Sequence, residues 1–185
     1  MSNPELLEKI KAELEDWDGI EDPAPYASRR DLAILRVRRL NRLYQKYLED
    51  YLFWDKKLTE NEQGIDAVRW RWGFVRTVHP FLCSSAELLI ADAAIEQALP
   101  KDITIDPQRP IASLLEADQL HRSCRSAHPL PPLSDADKES LQRAEPILRR
   151  AMRPETSLDL EISAEEISVL RESLEITGRL LRSLR

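Results

Sequence analysis

Glycine is scarce: the chain of 185 residues has 4, where ordinary usage of about 7% would give about 13. A chain so poor in Gly cannot build many two-residue hairpins or phosphate-cradling loops, which need positive φ or close backbone approach. No nucleophile elbow, P-loop or dinucleotide fingerprint occurs in it. Cysteine and histidine are equally thin, at 2 and 3 residues, and Cys83 and Cys124 sit in apolar or helical context, so a disulfide framework is not expected. No run reaches the roughly 18 to 20 uncharged apolar residues of a membrane span. The most apolar stretch, Phe81 to Leu99, contains Glu87, Asp92 and Glu96 and reads as a core helix. The opening Met1-Ser2-Asn3-Pro4-Glu5 has no basic segment, apolar core or cleavage site of a secretory signal. A cytoplasmic location with reduced thiols and no membrane partner is the expectation.

What is present favours helices. With 42% hydrophobic and 32% charged residues, the composition supports a packed core under a charged surface, and the length fits one domain. The expected fold is all-α, six to seven helices around one long helix, with at most a two-stranded β-ribbon. Residues 1–28 read as an acidic N-terminal helix and Pro-containing linker, 29–132 as the main helical core, and 133–185 as C-terminal helices with a short strand.

Local signals set the elements. Ser2 with Glu5 is a capping-box pair, and Leu6, Leu7, Ile10, Leu14 and Trp17 recur at helical spacing. Pro23 and Pro25 stiffen the linker that follows, and Ser28 can cap the next helix. From Arg29 to about Leu58 neither Gly nor Pro interrupts. Ala33, Val37, Leu40, Tyr44, Tyr47, Tyr51 and Trp54 keep a 4-3 spacing there, the seam of a rod of roughly 45 Å. A helix over 65–79 is expected to end or kink at Pro80, with a buried helix from Phe81 to Leu99 beyond it. Pro110 suits the first turn of a helix through about Ala127. Ser134 with Asp137 starts a helix from Ala136 to Met152, kinked at Pro146. Ser163 with Glu166 caps a last helix whose Ile167, Leu170, Leu174, Leu181 and Leu184 form one stripe. Ile103 to Ile105 and residues 158–162 alternate as short strands and could pair.

Charge is segregated. Residues 1–28 carry 2 basic and 8 acidic side chains, while 29–58 carry 9 and 4, so the two segments are expected to neutralise each other. Arg outnumbers Lys 20 to 7, and the planar guanidinium suits bidentate pairing with carboxylate or phosphate.

Three constellations could carry chemistry. His79 with Cys83 at i, i+4, and His121 with Cys124 at i, i+3, are a possible zinc quartet from two helices; buried Cys on apolar helices is otherwise ordinary core material, and no cofactor is expected. Arg69, Trp70, Arg71 and Trp72 interleave cations with rings, as in a stacking platform for single strands or in a protein interface hot spot. Helical geometry splits them over several faces, which favours protein contact with one Trp turned inward. Arg122 and His128 are separated by five residues, a spacing that resembles the Arg-x(4-6)-His motif of the HEPN ribonucleases. That resemblance implies a dimerising helical bundle in which Arg122 holds phosphate and His128 moves a proton.

The expected function is that of a non-enzymatic interaction or adaptor subunit. It would bind a partner protein or a second copy through the aromatic-seamed helix and the Arg and Trp segment, with Arg36, Arg39, Arg69, Trp70, Arg71 and Trp72 as contacts. The alternative is a nucleic-acid-binding or HEPN-like ribonuclease subunit acting through Arg122 and His128, with Arg36, Arg38, Arg39, Arg69 and Arg71 on phosphates.

Overall fold

The computed structural model describes residues 28–62, 64, 67–99, 103–124, 128–152 and 161–184. Among these residues five α-helices occur, and no strand: α1 (Arg29–Glu60), α2 (Ala67–Glu96), α3 (Pro110–Ser123), α4 (Asp135–Ala151) and α5 (Ala164–Leu180), the last running into a 3-10 turn, Leu181–Leu184. The expected helix over Leu6 to Trp17 and its linker lie outside the described residues, as does the acidic partner expected for α1.

The long rod is continuous. Ser28 accepts the amide hydrogen of Asp31 at its start, and 32 residues follow without a break, about 48 Å of helix. A turn of two successive backbone bonds, Gly64 to the Asn61 carbonyl and Ala67 to Gly64, reverses the chain. α2 then returns antiparallel. At its far end Arg29 donates to the carbonyls of Ala94 and Gln97, and Arg30 pairs with Glu96 at 3.2 Å. A guanidinium on the last carbonyls of a helix is a C-terminal cap placed by the partner helix.

Six to seven helices become five in the described part because Pro80 does not divide the chain: α2 runs through it from Ala67 to Glu96. An interior proline costs about 3 kcal/mol. On either side of it Phe74, Val75, Val78, Phe81 and Leu82 are all buried to 2% exposure or less, and each such side chain stabilises by roughly 1.5–3 kcal/mol. Burial outweighs the break. The core therefore centres on all of α2, and the seam of α1 closes over it. Tyr44 packs on Phe81 with ring centroids 5.0 Å apart, and Tyr51 on Phe74 at 5.7 Å. By length and apolar composition α2 alone among the described helices could cross a bilayer, and most of that stretch is buried in the bundle.

The expected ribbon is absent from the described residues. After Ile105 the chain turns at Asp106, whose carboxylate accepts the Gln108 amide while its carbonyl accepts that of Arg109. This Asp-Pro turn and Pro110 at the first position of α3 leave no length for a ladder; Ile105 simply packs on the core. Of the proposed partner strand, 158–160 fall outside the described residues, and 161–163 lead straight into the cap of α5. α3 stops at Ser123, with Cys124 as its extended C-cap, rather than near Ala127.

α4 and α5 form a second antiparallel pair. Both start at the expected signals, Ser134 with Asp137 and Ser163 with Glu166, and each pair closes a capping box. Arg179 reaches Asp137, Ser140 bonds Glu172, and Arg150 pairs with Glu166 at 2.6 Å. The Ser134 amide and hydroxyl, with Arg179, hold the Asp137 carboxyl below its usual range. Burial pushes Glu166 up, but the Ser163 amide and Arg150 outweigh it and leave it lowered. Carboxyls lowered by folding stabilise above their unfolded pKa, and that contribution fades as the pH falls through the folded value.

α5 docks back on the first hairpin through Arg171. Its Nε donates to Asp55 at 2.6 Å, a terminal nitrogen reaches the Thr59 hydroxyl, and the guanidinium lies 5.8 Å from the Phe74 ring centre.

Candidate functional site

α2 places Asp92 in the core with 3% exposure. A carboxylate there needs donors, because burying it unpaired is costly. α3 supplies the first: His121, 2% exposed, gives its Nε2 hydrogen to Oδ2 at 2.7 Å. The linker between α3 and α4 supplies the second, His128, whose Nδ1 lies 3.1 Å from Oδ1 while half its side chain faces solvent. Asp92 thus ties three chain segments together and fixes the protonated nitrogen of each ring.

Arg122, next to His121, turns along α3. Its Nε lies 3.0 Å from both Asp118 oxygens, and its terminal nitrogens reach the carbonyls of Leu130 and Pro131 at 3.3 and 2.5 Å. The guanidinium is committed to anchoring the linker that carries His128. Phosphate binding by Arg122 would require it to leave that anchor.

The four residues of the zinc reading are not brought together. His79 donates through Nε2 to the Pro107 carbonyl at 2.8 Å and touches Cys83, 3.5 Å from Sγ. His121 faces Asp92, thirteen residues or about 20 Å further along α2, and Cys124 caps α3. No group of three or more His, Cys, Asp or Glu among the described residues could hold a metal ion. Burial, with Glu87, Glu145 and Asp106 nearby, pushes the Cys83 thiol up to about 11, so it stays protonated at neutral pH.

The Arg and Trp segment divides as helical geometry requires. Arg71 donates to the Ile162 carbonyl at 3.0 Å. Trp70 turns inward against Trp54, centroids 5.6 Å apart, with Arg69 lying 5.5 Å over its outer side. Trp72 is half-buried and faces α4. Both indole Nε1 atoms are buried and have no hydrogen-bond partner among the described residues, a cost of about 1–3 kcal/mol each. Arg36 and Arg39 lie on α1, and each has an interaction partner. The seam itself is internal: Tyr44 is 1% exposed, and Tyr47, Tyr51 and Trp54 pack on the core. Beside it, Leu52 and Phe53 on α1 and Val68 on α2 are the large hydrophobic side chains left exposed among the described residues, at 54%, 53% and 49%.

Two features escape sequence reasoning. Asp92 is one of three acids, with Glu87 and Glu96, in an apolar stretch of α2, and nothing local singles it out as the buried one or names its histidines, 29 and 36 residues away. Glu145 of α4 accepts the Ile111 and Ala112 amides at 2.8 and 3.2 Å, capping α3 where Arg109 offers no side-chain cap. Replacing Glu145 with Ala is expected to cost about 1–2 kcal/mol, read as a lower urea midpoint with an unchanged slope.

Compared with family models, curated proteins and solved structures, the chain matches none.

Proposed function

We propose that this protein is a non-enzymatic helical adaptor subunit that docks a partner protein, or a second copy of itself, on the turn end of the α1–α2 hairpin. The observation that carries the reading is the exposure of Leu52, Phe53 and Val68 around that turn. Phe53 stands edge-on to Trp54 at 5.6 Å, and Trp54 leads on to Trp70 and Arg69. Exposed large hydrophobics on one half of a hairpin offer apolar area to a partner, and Trp and Arg are among the side chains enriched in interface hot spots. The aromatic seam of α1 serves this role indirectly, by holding the hairpin rigid.

A double substitution, Leu52→Asp with Phe53→Asp, tests the reading, because residues this exposed contribute little to folding. Sedimentation of the 21.4 kDa chain and nuclease-treated pull-down are the readouts. Self-association or partner capture that survives nuclease is expected in the native chain and lost in the variant, with circular dichroism unchanged. Association that persists in the variant, or that disappears with nuclease, rejects it; the second outcome favours the nucleic-acid alternative.

A further inference from the structure

We propose that the groove between α2 and α4 is a binding site for a small organic carboxylate with an apolar body. The groove is open on one side and encloses about 250 Å³, just below the roughly 300–1,000 Å³ of sites that hold drug-sized ligands. Its occupant is therefore a smaller molecule. Trp72, Arg76 and His79 line it from α2, one helical turn apart, and Leu148, Ala151 and Met152 line it from the last turn of α4.

Its polar groups all favour an anion. Arg76 is exposed, and no described residue pairs with it. Among the described residues the neighbouring cations have partners elsewhere, Arg149 near Glu145, Arg150 with Glu166 and Arg71 with the Ile162 carbonyl. No carboxylate among the described residues lines the groove. The Trp72 ring forms part of the same wall, with its Nε1 buried away from the surface. His79 is held against Pro107 and acts as a wall. A single guanidinium fork matches the two oxygens of a carboxylate, whereas a phosphate dianion would ask for more charge than one Arg brings. The remaining surface, from Leu148, Ala151 and Met152, fits an alkyl or aryl body. Trp72 follows Val68 by one turn of α2, so the groove adjoins the proposed docking end, but its variant, Arg76→Met, leaves Leu52 and Phe53 intact and the two readings are tested separately.

The test uses three probes that share an eight-carbon chain and differ in the head: octanoate, 1-octanol and octylamine. Calorimetric titration of the full chain is expected to give one saturable octanoate site, at least about tenfold tighter than either of the other two. Arg76→Met, which keeps the length and removes the charge, is expected to bring octanoate down to the level of octanol, with the melting temperature unchanged. Equal affinity for the three heads, an Arg76→Met variant that binds octanoate as the native chain does, or no saturable octanoate binding overturns the proposal.

Discussion

Replacing Gly73 with Ala is expected to destabilise the fold by about 2 kcal/mol, although the same change in a free helix would stabilise it by roughly 0.5–1 kcal/mol. Gly73 is buried in α2, and an added methyl would land on the six-membered ring of Trp54, at 2.6 Å from Cδ2 and closer still to Cε3 and Cζ3. Nothing lets the ring yield easily: Phe53 stands against one part of it and Trp70 against another, each at 5.6 Å. Overpacking of this kind typically costs about 1–3 kcal/mol, and driving a Trp out of its site approaches the upper end of that range or passes it. In a chain of this size the loss corresponds to a melting temperature lower by roughly 4–8 °C. A double-mutant cycle isolates the cause: in a Trp54→Leu background the same Gly73→Ala change is expected to be nearly neutral. A higher melting temperature for Gly73→Ala alone would show that α1 and α2 do not meet at this point.

The second large effect belongs to Asp92. Asp92→Ala leaves His121 buried at 2% exposure without its acceptor and releases His128, and leaving a buried donor unsatisfied costs about 1–3 kcal/mol, to which the cavity adds. That is a large part of the 5–15 kcal/mol on which an ordinary domain rests. Asp92→Asn keeps the shape and one acceptor oxygen and is expected to lose less. His128→Ala is expected to lose less again, because that ring is half in water. Urea titration ranks the three, and hydrogen exchange should show the linker amides near residue 130 opening in all of them. Equal losses across the series would mean that Asp92 does not staple the linker to the core.

The contrast between these two sites and the helices around them explains how far the sequence could be read. The rod after Ser28, the two capping boxes at Ser134 and Ser163, and the apolar stripe of α5 depend on residues within one turn of each other, and each appears where the pattern puts it. Pro80 was misleading for the same reason. Its local effect is unfavourable to helix, and only the burial of Phe74 to Leu82 by other parts of the chain reverses it. The Ile103 to Ile105 strand failed because a strand exists only with a neighbour, and the Asp106 turn removes the length needed to find one. For the site, the segment with histidine and arginine at 121, 122 and 128 was visible as a cluster. Its organising residue, Asp92, was not, since only the fold decides which buried acid meets which imidazole. The split of Arg69 to Trp72 over separate faces followed from helical geometry, while the contacts that each face makes, with Trp54, Ile162 and α4, did not.

Arg171 has a consequence for the order in which the molecule is made. Its partners Asp55 and Thr59 precede it by 116 and 112 residues, so the ribosome releases the α1–α2 hairpin long before the helix that shields it. During that interval, at about 5–20 residues per second, Phe74 lacks the guanidinium that later lies over its ring, and the hairpin carries an open apolar flank. Nascent chains stalled between α3 and α5 are therefore the form of this protein most exposed to capture by chaperones.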